Sequence, residues 1–227
     1  MLPQGKVKLR AALGAALFVL AAAMAPVFAA DGEAALLAAA RSGDLAAVTR
    51  LLGQGIKPDA RDAQSRTALL LATHANHVDA ARTLIAAGAN VNARDSIQDS
   101  PFLYAGAEGR LEILKATLAA GADLASTNRY GGTALIPACH HGHVEAVREL
   151  LKTSIKVDHI NNLGWTALLE TVILGDGGAR HREIVALLIA AHADVNLADR
   201  DGRTPLAHAR ARGFADIAKA LAAAGAR

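Results

Sequence analysis

A 33-residue period runs through the chain after about its first thirty residues and constrains its fold more than any single residue. Hydroxyl side chains mark this period at strict intervals, with one longer interval of 38 residues at the end: Thr67, Ser100, Thr133, Thr166 and Thr204. Each marker begins the same pattern of a small residue or proline, an apolar pair, a turn and an apolar stretch. Such a period predicts a solenoid of stacked units, which offers a surface for holding another molecule more often than a pocket for chemistry.

Residues 62–94 illustrate the local structure that the pattern predicts. Thr67 is placed to cap a short helix, because its hydroxyl can accept a hydrogen bond from the free N–H groups of the first turn. Asn76 follows at a turn position and is predicted to adopt a left-handed backbone, which glycine adopts more easily. Glycine fills the same position in other units, at Gly109, Gly142 and Gly213. Apolar residues from Val78 onward recur at helical spacing and predict a second, amphipathic helix.

Small residues at one repeated position indicate that neighbouring helices approach closely. Alanine holds this position at Ala72, Ala105, Ala138 and Ala209. Several short motifs recur in register with it: Thr204-Pro205-Leu206, Gly142-His143, Ala193-Asp194-Val195-Asn196, and the stretch from Asp199 to Thr204. In these motifs the chain resembles the ankyrin repeat.

The resemblance implies a mainly α fold, an ankyrin-repeat solenoid of about six units, each with a β-hairpin and two antiparallel helices. It covers residues 33–227, and the predicted units are 33–61, 62–94, 95–127, 128–160, 161–198 and 199–227. The chain departs from the family where the histidine of Thr-Pro-Leu-His is replaced by Leu70, Leu103, Ile136, Leu169 and Ala207. Apolar contact is therefore expected to substitute for hydrogen bonds that this histidine makes between units.

The first 29 residues have the pattern of a secretory signal peptide. Lys6, Lys8 and Arg10 precede a long uncharged stretch, and Val27-Phe28-Ala29 supplies small residues for cleavage after Ala29. The alternative is an uncleaved anchor, because residues 11–30 approach the length of a membrane span. We expect cleavage and a periplasmic location, with no stable membrane insertion of the mature chain.

Removal of this segment changes the charge balance. The whole chain has 24 Lys and Arg residues against 21 Asp and Glu residues, and three of the basic residues lie in the first 29, which leaves 21 against 21. This balance gives no reason to expect a nucleic-acid partner or binding to an anionic membrane. Cys139 is the single cysteine, so no disulfide can form within the chain.

The resemblance also implies where a partner binds, because ankyrin domains use hairpin tips and the ends of the first helices on the concave side. The predicted partner-binding residues are Asp99, Glu108, Arg129, Tyr130, His140, His141, Leu163, Trp165, Ile173 and Leu174. Tyr130 and Trp165 fall on neighbouring hairpins in a chain with few aromatic residues, and such side chains are favoured as interface anchors.

Two stretches contain residues that could bind a metal ion or an anion. Cys139-His140-His141 with His143 suggests a metal cluster, but the repeat assigns Cys139 to the core and His143 to a turn, so no metal site or cofactor is expected. Residues 175–182 form a Gly-rich insertion, predicted as a turn projecting before a helix that begins near Glu183. It could bind an anion or contact a partner, although it lacks the residues of a phosphate-binding loop.

The sequence therefore predicts an exported scaffold, not an enzyme, that binds a periplasmic or envelope protein through its concave face. In residues 138–143 and 174–178 the chain also resembles exported bacterial ankyrin proteins. This resemblance leaves open whether it assists an enzyme, such as one that removes peroxide, or inhibits a hydrolase. Two alternatives stay open: an anion- or nucleotide-binding module that uses residues 175–182, and a structural envelope protein that self-associates through its Ala-rich terminal units.

Overall fold

The computed structural model describes residues 30–227, which form six pairs of antiparallel helices. The predicted signal peptide lies outside the described residues. The helices are α1 (30–42), α2 (Leu45–Gly53), α3 (Ala68–His74), α4 (Val78–Ala86), α5 (Pro101–Ala107), α6 (Leu111–Ala119), α7 (Leu135–His140), α8 (Val144–Leu151), α9 (Ala167–Leu174), α10 (Ala179–Ala190), α11 (Pro205–Ala211) and α12 (Ala215–Ala223). Within this range, no helix has the length and apolar character needed to cross a bilayer.

The first helix of most pairs begins at the predicted hydroxyl cap. The Thr67 hydroxyl accepts a hydrogen bond from the Leu70 N–H at 3.2 Å, and the Ser100, Thr166 and Thr204 hydroxyls make the equivalent bond in their own units. The left-handed turn is also confirmed, since Asn76 has a φ of 58° where Gly109 has 61°. Hydroxyl and turn residue together fix the length of each first helix.

Thr133 departs from this pattern because of Pro137. A proline has no N–H to donate to the Thr133 carbonyl, so the first turn of α7 is irregular and the helix begins only at Leu135. The Ile136 N–H donates to the Thr133 carbonyl at 3.2 Å, and the buried Thr133 hydroxyl has no hydrogen-bond partner among the described residues.

The helices stack in two layers, because first helices contact first helices of the next unit and second helices contact second helices. The repeated alanines, such as Ala72 and Ala138, are fully buried between neighbouring first helices, as their spacing predicted. Leu70 and Leu169, which replace the family's histidine, are buried as well, and so are Leu103 and Ile136. Apolar side chains are therefore buried at four of the five positions, and Ala207 is partly buried. The mainly α solenoid is the predicted fold.

The hairpins that join the units are tight turns held by one repeated side chain. An aspartate or asparagine begins each turn and its Oδ1 accepts two backbone N–H groups; these residues are Asp62, Asp95, Asn128, Asn161 and Asp199. Backbone bonds join two pairs of neighbouring turns, from the Ser96 N–H to the Gln64 carbonyl at 3.0 Å and from the Asn162 N–H to the Tyr130 carbonyl at 2.9 Å. Each tip is thus fixed by its own turn, and the joined tips also by a neighbour.

Most of the five-residue insertion is helical, so the prediction of a helix beginning near Glu183 was wrong. The second helix α10 begins at Ala179 and has 12 residues, whereas α8 has 8. The loop does not project either, since Gly177 packs on the Phe214 ring and leaves no room for a Cβ atom. Sequence periodicity missed this because contacts with the next unit hold the insertion in place.

Candidate protein-binding groove

A groove of about 400 Å³ runs along the hairpin tips and the first helices α5, α7 and α9. These elements belong to the third, fourth and fifth pairs of helices, at the middle of the solenoid. Because hairpin tips and first helices both face it, the groove lies on the side that the family resemblance predicted for a partner.

Eight of the ten predicted partner-binding residues line this groove: Asp99, Glu108, Arg129, Tyr130, His140, His141, Leu163 and Leu174. The other two lie outside its lining. Trp165 is half-buried at the base of its hairpin, where its backbone N–H donates to Asn161 Oδ1 at 3.0 Å. Ile173 is partly buried, and its carbonyl accepts a hydrogen bond from Arg212. The assignment of all ten to partner binding stays a prediction.

Three apolar side chains are exposed around the groove. Tyr130 is 55% exposed, Leu163 48% and Leu174 42%. The Arg129 guanidinium lies over the Tyr130 ring, 4.8 Å from its centroid, and holds the ring at the groove edge. Exposed apolar side chains grouped around a concavity mark a surface suited to contact with another molecule.

The floor of the groove contains a carboxylate that sequence reasoning did not select. Glu170 on α9 is only 8% exposed, and its Oε2 accepts a hydrogen bond from Asn161 Nδ2 at 2.9 Å. Burial raises the pKa of Glu170 above its ordinary value. The signal was present in the period, because Glu170 occupies the same repeat position as Tyr104 and His208, four residues after each cap.

A second carboxylate of the groove is also weakly paired. Asp99 is largely buried, and its Oδ2 lies 3.8 Å from Arg129 Nη1. Burial and then the nearby Asp95 carboxylate raise the pKa of Asp99, and Arg129 only partly opposes them. The groove therefore holds acidic groups whose charges are incompletely compensated.

The residues of the Cys-His cluster make separate contacts and do not converge on one site. Cys139 is fully buried, and burial raises the pKa of its thiol. His141 Nδ1 donates to the Ala107 carbonyl at 2.7 Å, and the His143 ring packs against Gly109. Burial lowers the pKa of His140, as does the neighbouring His141. Within residues 30–227, no group of three or more Cys, His, Asp and Glu side chains is arranged to hold a metal ion.

The insertion brings its own carboxylate to the start of α10, which disfavours the anion-binding alternative. Asp176 Oδ1 accepts hydrogen bonds from the Gly178 N–H and from His181 Nδ1, both at 2.7 Å. These bonds hold the pKa of Asp176 below its ordinary value. Arg182 is paired with Asp216 of the next unit. A bound anion would have to displace the Asp176 carboxylate from the helix N-terminus.

Comparison with known proteins agrees with the fold and the repeats. The model of the family described as "Ankyrin repeats (3 copies)" matches residues 11–95 and 102–199. The chain therefore belongs to the ankyrin-repeat family. It is 50% identical over 58 residues to the ankyrin repeat protein YahD of Escherichia coli (strain K12), a match that covers 26% of this chain and 29% of YahD.

Solved ankyrin structures are similar over most of the described residues. An ankyrin repeat domain of Acinetobacter baumannii AYE (ABAYE2397) is 58% identical with a TM-score of 0.82, and the match covers 85% of this chain and 98% of that one. The ankyrin repeat protein EF0377 is 42% identical with a TM-score of 0.80 over 83% of this chain and 96% of its own. The ankyrin repeat domain of Bcl-3 is 28% identical with a TM-score of 0.77 over 85% and 86%.

Ankyrin repeats are generally protein–protein interaction modules, and their fold is typically a non-catalytic scaffold.

Proposed function

We propose that this protein is an exported scaffold that binds a periplasmic or envelope protein through the groove and thereby assists or inhibits it. The observation that carries the proposal is the grouping of Tyr130, Leu163 and Leu174, all strongly exposed, around a concave surface in the middle of the solenoid. The periplasmic location rests on the pattern of residues 1–29.

The hairpin tips support this function because they are ordered before a partner arrives. Asn128 Oδ1 accepts the N–H groups of Tyr130 and Gly132 at 2.9 and 3.0 Å, and Asn161 Oδ1 does the same for Leu163 and Trp165. A partner that binds these tips does not have to order them, so less of the interaction energy is lost as conformational entropy.

Replacing Tyr130 and Leu163 together with alanine should abolish partner capture without unfolding the protein. Both side chains are largely exposed, so their removal should cost less than about 1 kcal/mol of stability. Interface anchors, in contrast, each contribute about 2 kcal/mol or more to binding. The measurement is affinity capture from periplasmic and envelope extract, with thermal melting of each variant as the check on folding.

The matched control is Ile160→Ala, since Ile160 is similarly exposed but does not line the groove. This variant should capture the same proteins as the wild type. Equal capture by the double variant and the wild type would refute the assignment of the groove. The activity of a captured enzyme, measured with and without the scaffold, then separates assistance from inhibition.

The export part of the proposal has its own test. Expressed with its first 29 residues in a Gram-negative host, the protein should be recovered from the periplasm with Ala30 as its first residue. Intact mass measurement of the periplasmic fraction detects the cleavage. Recovery of the uncleaved chain in the membrane fraction would instead support the anchor alternative.

A further inference from the structure

Acidic side chains are paired on the outer face of the solenoid, which the second helices form. Glu112 accepts a hydrogen bond from Arg82 of the preceding unit at 2.6 Å, and Glu183 accepts one from Arg148 at 2.7 Å. These pairs join neighbouring second helices and compensate the charge of each carboxylate. Glu112 and Glu183 therefore each have a bonded arginine without a partner protein.

The groove differs, because its carboxylates outnumber its arginines. Asp99, Glu108 and Glu170 line it together with a single arginine, Arg129. Among the described residues, the closest cation to Asp99 is Arg129 at 3.8 Å, and the Glu170 carboxylate accepts a side-chain hydrogen bond only from the neutral amide of Asn161. His140 Nδ1 lies 3.7 Å from Glu170, beyond hydrogen-bond distance.

Two of these carboxylates are held where their charged form is disfavoured. Burial is the largest cause that raises the pKa of both Glu170 and Asp99. A guanidinium or ammonium group brought into the groove would stabilise the charged form through an ion pair with direct hydrogen bonds. Neither Glu170 nor Asp99 is hydrogen-bonded to a cationic side chain, and a partner can supply one.

We propose that the groove receives a basic segment of the partner protein, with an arginine or lysine side chain paired to Glu170 and, in a segment that spans the groove, a second basic side chain paired to Asp99. An apolar residue of the same segment packs against Tyr130 and Leu163 at the groove edge. This inference rests on the proposed function, since it specifies the chemistry of the partner at the same groove. Charge complementarity distinguishes this occupant from an acidic segment, which would meet three carboxylates.

The spacing of the acidic groups defines the segment further. Asp99 and Glu170 belong to units that are two repeats apart, which is about 20 Å at the usual distance between packed helices. An extended chain covers that distance in about six residues. A segment that reaches both ends of the groove therefore carries two basic residues about six positions apart, with apolar residues between them.

The test selects a random peptide display library on four forms of the protein: wild type, Glu170→Gln, Glu145→Gln, and the double variant with Tyr130→Ala and Leu163→Ala. Glu145 is an exposed carboxylate on α8, outside the groove, so its replacement changes the net charge equally. Glutamine at 170 can still accept the Asn161 bond and removes a charge that burial disfavours, so this variant should melt no lower than the wild type at neutral pH. Peptides enriched on the wild type are then measured individually by fluorescence anisotropy.

The expected result is enrichment of peptides with arginine or lysine beside an apolar residue. Glu170→Gln should weaken their binding by about tenfold or more, and Glu145→Gln should leave it within about twofold. Enriched peptides without basic residues, or equal binding to the wild type and Glu170→Gln, would overturn this inference alone. If the wild type enriches no peptide over the Tyr130→Ala, Leu163→Ala double variant, the groove assignment fails and this inference fails with it.

Discussion

Replacing Phe102 with alanine should lower the free energy of unfolding by about 3 to 5 kcal/mol. Phe102 on α5 is the largest fully buried side chain among the described residues. Its removal loses the transfer free energy of the ring and leaves a cavity where α5 packs against neighbouring helices, and the interior cannot close such a cavity fully. Equilibrium unfolding in denaturant, followed by far-UV circular dichroism, measures the loss.

Because Phe102 lies in the third unit, its replacement should also change the shape of the unfolding transition. In a solenoid each unit contacts only its neighbours, so weakening the third unit should uncouple the units on either side of it. We expect the single unfolding transition to broaden or to divide into two. Phe102→Leu, which leaves a smaller cavity, should cost less than Phe102→Ala. A loss below about 1 kcal/mol for Phe102→Ala would contradict the described packing of this unit.

The period predicted the parts of the fold that every unit repeats. Thr67 as a cap, Asn76 as a left-handed turn and Ala72 as a close-packing position each follow from local physical chemistry, because the same position carries the same type of residue in several units. Repetition turns a weak single-site preference into a strong prediction, since each unit is an independent observation of the same environment.

Thr133 shows the limit of that reasoning. Its hydroxyl stands in register with the caps of the other units, yet it makes no cap bond because Pro137 disturbs the first turn of α7. The period describes what the units share, and a substitution at a neighbouring position can change the local structure without disturbing the period.

The sequence predicted where the groove lies but not which of its side chains are buried. The resemblance placed Tyr130 and Leu163 at hairpin tips, and both are exposed there. It could not tell that Trp165 turns partly inward or that Glu170 lies at the groove floor, because the direction of a side chain depends on packing between units. A carboxylate at a first-helix position that is filled by Leu71, Tyr104, Pro137 and His208 in the other units is the signal that would have identified Glu170.

The insertion was the least predictable segment because its structure depends on residues of other units. Gly177 fits against Phe214, and His181 Nε2 donates to the His140 carbonyl at 2.8 Å. His181 stands in register with His77, which approaches the Arg41 carbonyl in the same way at 3.2 Å. The insertion thus lengthens the helix while it keeps the contact that this repeat position makes between units.

Replacing His181 with alanine should lower the free energy of unfolding by about 2 to 4 kcal/mol. His181 is only 6% exposed, and its two ring nitrogens face the His140 carbonyl and the Asp176 carboxylate at 2.8 and 2.7 Å. The substitution leaves the carbonyl without this donor and opens a cavity beside Gly175. Denaturant unfolding measures the loss, and hydrogen exchange should show faster exchange in the first turn of α10.

His141→Ala is the matched control, because His141 also donates to a carbonyl of the preceding unit but does so at the surface, to Ala107 at 2.7 Å. Water can replace that bond, so the loss should stay below about 1 kcal/mol.

The pH dependence of stability also distinguishes His181→Ala from His141→Ala. The hydrogen bond from the Gly178 N–H, and then that from His181, hold the pKa of Asp176 below its ordinary value. This carboxylate therefore stabilises the fold above its unfolded pKa and ceases to do so as the pH falls through its folded pKa. His181→Ala should reduce this acid-sensitive contribution, whereas His141→Ala should leave it unchanged. Equal losses in the two variants would mean that the insertion is not anchored through His181.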